Sequence, residues 1–438
     1  MSEASKSFYT PATAIAVVMA NMIGTGVFTS LGFQLADIRS PFVLLLLWVV
    51  GGVTALCGAL CYAELGSALP RSGGEYHFLG RVLHPSLGFV AGWVSATIGF
   101  AAPSALAAMT FAAYLDSVFP GLNRTVAACV LVVALIALHA SSRRSSGATQ
   151  RWFTWLKIAL IVGFCALALW LVPAVQPVSF APAAGDGALL TGGAFAVSLI
   201  YVSYAYTGWN AATYLSGELA APQKSLAPVL VIGTAVVLLL YLLLNATFLL
   251  TAPMAAMAGQ VEVGFISAQH AFGGVGASIM GLLLSALLIS TVSAMTLAGP
   301  RVLQVVGEDY PLFAALGRTN ASGVPRNAVM VQGLLTLAFI VSASFEAILL
   351  FAGFTLAVNT AAVVVALFVL RRTEPDLERP FRVPLYPLPA LIYLGITLWT
   401  AFYVVRENPA EAGWGVAIFA LGGVAYVIAR RIGSKPVD

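Results

Sequence analysis

Two short runs in this chain of 438 residues hold the residue types that could bind a small charged solute. Ile23-Gly24-Thr25-Gly26-Val27 sets two glycines around a hydroxyl. Tyr204-Ala205-Tyr206-Thr207-Gly208-Trp209-Asn210 gathers hydroxyls, a glycine and an amide. Each run lies near the middle of a long apolar stretch. A helix that begins at such a break turns unpaired N–H groups and a positive dipole end towards an anion. A helix that ends there offers carbonyls to a cation. A small zwitterion satisfies both, and an amino acid has that charge layout. Lone glycines in membrane helices mostly serve close packing, but Gly-Thr-Gly places packing and hydrogen bonding in one turn. A third candidate, Lys157, stands inside an apolar run, Trp155-Leu156-Lys157-Ile158.

The elements that must position these residues follow from composition. The chain is 60% hydrophobic and 9% charged, whereas a soluble domain carries about 25% charged residues. So few charges cannot cover so much apolar surface in water, which makes the bilayer the solvent. A spanning helix needs roughly 20 mostly apolar residues. Apolar stretches fall at 11–34, 41–69, 87–115, 125–139, 152–172 and 190–215, then at 226–251, 275–306, 328–342, 347–370, 385–405 and 413–429. The spacing predicts an all-α integral membrane protein of twelve transmembrane helices. Met1–Thr10 is polar, and the run from Pro11 is longer than a signal-peptide core, so it reads as the first span. Cys57, Cys61, Cys129 and Cys165 lie in apolar segments, as buried thiols do, and imply neither disulfide nor metal.

An even number of spans puts both termini on one side. All of the 21 basic residues except Arg39, Arg124, Arg406 and Lys157 then fall on that side, which the positive-inside rule makes cytoplasmic. The expected location is the inner (plasma) membrane. The interrupted spans are the first and the sixth, matching positions in two blocks of five. Because five is odd, the second block enters the membrane from the opposite side. Matched breaks in such an inverted repeat point to a transporter's midplane site, the one place where irregular backbone is tolerated in hydrocarbon. The expected organisation is a cytoplasmic N-terminus (1–10), repeats at 11–173 and 189–371, two further helices at 385–431 and a cytoplasmic tail (432–438). The outer segment Ala252–Gly274 is too apolar for a free loop and is expected to pack as a lid.

At these residues the chain resembles the amino acid–polyamine–organocation (APC) superfamily, most closely its L-type and bacterial amino-acid permease branch. Four separated matches carry the resemblance: Ile23 to Phe28; Tyr62-Ala63-Glu64-Leu65-Gly66 through Pro70-Arg71-Ser72-Gly73-Gly74-Glu75-Tyr76; Tyr206 to Asn210; and Arg379-Pro380-Phe381-Arg382-Val383-Pro384. They keep the family's order over nearly the whole chain, and the second is long enough to be specific. The resemblance implies a LeuT-like five-plus-five fold with the last two helices peripheral. It implies that a substrate carboxylate meets the amides and hydroxyl around Gly24, Thr25 and Gly26. An α-amino group would meet carbonyls at Met22, Tyr204 and Thr207. Ile23, Ala205, Gly208 and Asn210 complete the binding set, with Tyr204 as an aromatic gate. Thr207 replaces the glycine common in L-type carriers, which narrows the pocket and favours small or medium neutral amino acids. No cysteine stands in the second outer loop, about Asp116–Asn123, so no covalent heavy-chain partner is expected.

For Lys157 two readings stand: snorkelling to the interface, or a buried cation that carries a proton or stands where related carriers hold sodium. The resemblance favours the second and argues against sodium coupling, leaving proton symport and exchange open. Glu64 and Glu218 are expected either to gate or pin the inner side or to lie exposed at the interface. Arg71 and Glu75 are expected to help close that side, and Asn359 to reach the site. Tyr241 and Asn245 read as packing. No cluster of catalytic residues, Walker motif or filter-like repeat is present, which argues against an enzyme, an ATP-driven pump and a channel. No cofactor or metal is called for. The alternative cargo within the same fold is another small solute: a polyamine, a nucleobase or a charged amino acid.

Overall fold

The computed structural model describes residues 10–71, 73–141, 147–214, 219, 221–321 and 323–433. Helices begin where the sequence supplies caps. Thr10, Ser40 and Ser344 each accept a hydrogen bond from the amide three residues on, at 3.3, 3.3 and 3.2 Å. Pro11, Pro41, Pro85 and Pro409 then occupy first helical positions, where no N–H is needed.

The first apolar stretch forms two helices, α1 (Pro11–Met22) and α2 (Gly26–Asp37), separated at Ile23-Gly24-Thr25. α3 (Pro41–Ala68) leads to the short α4 (Gly74–Val82). α5 (Pro85–Val94) passes through a π-helical turn, Ser95–Gly99, into α6 (Ala101–Val118). α7 (Arg124–Ser141) and α8 (Gly147–Leu171) follow. After α9 (Asp186–Leu190), the sixth stretch breaks between α10 (Gly193–Tyr206) and α11 (Ala211–Tyr214). α12 (Pro222–Thr251), α13 (Met254–Met257) and α14 (Val263–Asp309) come next. Then follow α15 (Ala314–Gly317), α16 (Arg326–Ser342), α17 (Phe345–Thr373), α18 (Leu388–Glu407) and α19 (Pro409–Ile432).

Among the described residues, nine helical segments are long and apolar enough to cross a membrane. Three of the expected stretches hold shorter apolar helices: Arg124–Ala140, Gly193–Tyr206 and Arg326–Ser342. For the sixth stretch the shortness has a direct cause, since the helix stops at Tyr206 where the chain unwinds. α14 is two helices in one run, because Gly273 takes φ +72°, a left-handed conformation that suits glycine. Its first part belongs to the outer segment expected to form a lid. That segment packs on α2 through Gly259 N–H to Gly32 O at 2.8 Å, and on α6 through Gly264 N–H to the Tyr114 hydroxyl at 3.0 Å. α18 and α19 keep most of their surface outside the bundle.

Candidate functional site

The two breaks face one another in close contact. A Cβ built on Gly26 would lie 2.5 Å from Ala205 Cα, and one on Gly208 would lie 2.8 Å from the Asn21 backbone. Each break therefore seats a glycine on the chain of the other. Gly208 is needed twice over, since its φ is +100°. Ser30 extends the seam by donating to Tyr201 O at 3.3 Å.

A cavity of about 760 Å³ opens beside this seam. Met22, Gly24, Thr25, Gly26, Tyr204, Ala205, Thr207, Gly208 and Asn210 all line it, and Asn359 reaches it from α17. Ile23 is buried behind the wall. Arg71, Glu75, Arg81 and Arg301 line it as well, and the arginines make their part the basic end of the cavity. Outside the cavity lining, Phe33 of α2 stacks on Phe345 of α17 with ring centroids 5.6 Å apart, and the Tyr201 hydroxyl of α10 donates to Glu346 at 2.8 Å. Burial, reinforced by the charges of Arg71 and Arg81, brings the His77 imidazole down to about 4. The imidazole is therefore neutral through physiological pH, and His77→Gln should leave the transport pH profile between about pH 5 and 8 unchanged.

Backbone accounting refines the expected contacts. Gly24 N–H is spent on Met22 O at 2.8 Å, while the amides of Thr25 and Gly26 have no partner among the described residues. The free anion-binding groups thus begin one residue later than the sequence suggested. Met22 O also accepts the Tyr241 hydroxyl at 2.6 Å, and Tyr204 O accepts both the amide and the hydroxyl of Thr207, at 2.9 and 2.7 Å. Both lone pairs of these two carbonyls are occupied. Of the three carbonyls expected to meet a cation, only that of Thr207 accepts nothing among the described residues. The Tyr204 phenol turns to the Thr25 hydroxyl across the seam.

Lys157 does not snorkel. It is 5% exposed, and its Nζ donates to Ile23 O at 2.9 Å, to Ala20 O at 3.4 Å and to Thr291 Oγ1 at 3.2 Å. The ammonium thus joins the break in the first span to α14.

Residues 10–428 match the family model described as amino acid permease. The chain belongs to the amino acid permease family. Among similar proteins, the b(0,+)-type amino acid transporter 1 of Mus musculus is 25% identical over 425 residues, covering 94% of this chain and 85% of the relative. The large neutral amino acids transporter small subunit 2 of Homo sapiens is 26% identical over 446 residues, covering 97% and 80%. The cystine/glutamate transporter of Homo sapiens is 26% identical over 430 residues, covering 96% and 85%. With its apolar helices, this makes the permease a multi-pass membrane protein whose relatives are transporters rather than enzymes.

Tyr241 of the permease is the residue that sequence reasoning misjudged. It packs against Trp48 and Tyr206, as expected of a buried aromatic. Its hydroxyl, however, reaches Met22 O at 2.6 Å and Ala205 O at 3.1 Å, one carbonyl from each break. A polar tip on an aromatic in a span was the available signal. Tyr241→Phe keeps the ring and removes this bridge, and should lower transport roughly tenfold, about 1.4 kcal/mol. Initial-rate uptake in proteoliposomes checks it.

Glu64 does not lie exposed and does not line the cavity. It is fully buried and accepts two hydrogen bonds from Arg371, at 2.7 and 2.6 Å, and one from Val383 N–H at 2.7 Å, with Arg379 Nε 3.5 Å away. It pins the loop after α17 to α3. Glu64→Gln should cost on the order of 2 kcal/mol, because it removes the charge that pairs two guanidinium groups. A lowered melting temperature in detergent, with substrate affinity retained, is the expected result. Glu218, the other expected gate, lies outside the described residues. Glu75, expected to help close the inner side, is buried and accepts hydrogen bonds from Tyr62 at 3.0 Å, from Asn210 at 2.5 Å and from Tyr214.

Proposed function

We propose that the permease is a secondary active carrier of small or medium neutral L-amino acids, working by alternating access in the inner (plasma) membrane. The observation that carries this reading is the meeting of two helix breaks on one cavity. Thr25 and Gly26, whose amides have no partner among the described residues, line it at the start of α2, and Thr207, whose carbonyl accepts nothing among them, lines it at the end of α10. In this reading the carboxylate sits on Thr25 and Gly26, and the α-ammonium sits between Thr207 and Asn210. Tyr204 closes over the bound solute. The names of the relatives support an amino-acid cargo. The Thr207 side chain, held on Tyr204 O, takes space that a glycine would leave open and favours modest substrate side chains.

The topology belongs to the same proposal: twelve spans, inverted repeats at 11–173 and 189–371, peripheral helices at 385–431 and both termini cytoplasmic. The basic end of the cavity is then its cytoplasmic mouth, and the conformation is inward-facing. Lys157 acts as a fixed cation at the position sodium takes in related carriers, so transport is proton-coupled or an exchange and does not depend on sodium. The second outer loop folds tightly, with Asp116 accepting from Gly121 and Leu122 at 3.1 Å and from Arg124 at 2.7 Å. Without a cysteine there, the carrier works without a disulfide-linked partner.

A thermal-shift screen of the purified protein against the twenty amino acids tests the cargo, because a ligand at 100 times its Kd adds about 2.7 kcal/mol of stability. Stabilisation by small or medium neutral members is the expected result. Stabilisation only by charged members would favour the second reading, a charged amino acid, which the name of the cystine/glutamate relative keeps in play. No stabilisation by any amino acid would sink both.

A further inference from the structure

The loop after α3 leads a carboxylate, Glu75, to the cavity wall. Three donors converge on Glu75: the Tyr62 hydroxyl of α3, the Asn210 amide at the end of the break in the sixth stretch, and the Tyr214 hydroxyl of α11. That suits an ionised carboxylate, which only accepts, placed in the first turn of a helix, where negative charge is favoured. The placement is built in. Gly74 packs so closely on the Tyr214 ring that an added Cβ would lie 2.6 Å from it. A larger residue there would push Glu75 away from its partners.

The consequence falls on Asn210. Its side chain presents donors on one side and an acceptor on the other. Because Glu75 takes a hydrogen bond from Nδ2, the amide is held with Oδ1 turned away from Glu75. That oxygen has no partner among the described residues, is not sealed from solvent, and belongs to a residue on the cavity wall. An amide free to rotate would spend part of its time offering NH2 to the site, which repels a cation.

We infer that Glu75 is a positioning residue for substrate recognition: it fixes the Asn210 amide so that Oδ1 accepts a hydrogen bond from the substrate's α-ammonium. The inference rests on the amino-acid reading above and extends the binding site to the loop after α3, whose carboxylate does not touch substrate in this role.

The test uses full-length protein in proteoliposomes. Its probes are the amino acid that stabilises the wild type most among the twenty, and the carboxylic acid that lacks only its amino group, used as a competitor. Glu75→Gln, which can turn either end of its amide to Asn210, should raise KM for the amino acid about tenfold. Vmax should stay within about threefold and inhibition by the des-amino acid should not change. Combining Glu75→Gln with Asn210→Asp restores an oxygen facing the cavity, held by the amide introduced in place of Glu75, and should return KM to near the wild-type value. An unchanged KM in Glu75→Gln would overturn the inference, and so would equal weakening of both probes or failure of the double variant to recover. Misfolding of both variants would make Glu75 a structural tie and overturn it too. A wild type that binds no amino acid would instead bring down the functional reading itself.

Discussion

Gly24→Leu should abolish substrate binding, an affinity loss of about a hundredfold or more, while the purified protein stays as thermostable as the wild type. Gly24 lines the cavity, and the nearest atom to a Cβ placed there is Met22 O at 3.9 Å. A side chain at this position therefore grows from the wall into the space where a carboxylate would meet the Thr25 and Gly26 amides, and its Cβ displaces nothing. Losing about 2.7 kcal/mol of binding corresponds to a hundredfold, and excluding the anion from two charge-assisted hydrogen bonds is worth at least that. Gly26→Leu is the necessary contrast. Its Cβ would be 2.5 Å from Ala205 Cα and 2.6 Å from Ala205 Cβ, so the two breaks must separate. That variant should lose thermal stability as well as binding, by an overpacking cost of about 1–3 kcal/mol. Ligand-induced thermal shift and apo melting temperature, measured on both variants, separate the two glycines. A Gly24→Leu protein that still binds would remove the carboxylate from this break.

What the sequence made legible here was the pair of breaks, because hydrocarbon penalises unpaired backbone and leaves few reasons for Gly-Thr-Gly in mid-span. The first two helices begin at Pro11 and Pro41, where the apolar stretches begin, but α14 begins at Val263, twelve residues before its stretch. Facing was not legible. Gly24 and Gly26 are two residues apart and look interchangeable in sequence, yet one borders open space and the other the partner break. Periodicity cannot assign a facing inside a segment that has left the helix. Tyr241 and Glu75 were undervalued for a related reason. Their partners lie far away in the chain, at Met22 and Ala205 for the one and at Asn210 and Tyr214 for the other. Glu64 shows the same limit, since whether it met water or Arg371 depended on how a loop beyond α17 folds back. The three short apolar helices leave the count of twelve spans as an inference from the spacing of the whole chain.

Lys157→Ala should cut transport about tenfold to a hundredfold and leave it indifferent to sodium. The ammonium is held by the carbonyls of Ile23 and Ala20 and by the Thr291 hydroxyl, with no carboxylate paired to it among the described residues. Ile23 O belongs to the break itself, so the lysine stabilises the unwound turn that presents the Thr25 and Gly26 amides. It also ties that turn to α14, against which the first span has to move if access alternates. A hydrogen bond to a charged group contributes roughly 1.5–3 kcal/mol, which sets the expected range at about 1.36 kcal/mol per factor of ten. Lys157→Met keeps most of the buried stem, so a matching defect in both variants assigns the loss to the ammonium rather than to a cavity. Sodium cannot replace it on three neutral oxygens alone: a cation taken from water needs a fuller set of ligands or a compensating charge. Uptake should therefore remain equally low when sodium is exchanged for choline. Rescue by sodium would mean that the lysine fills a vestigial ion site, and full activity without the ammonium would end its role in coupling the break to α14.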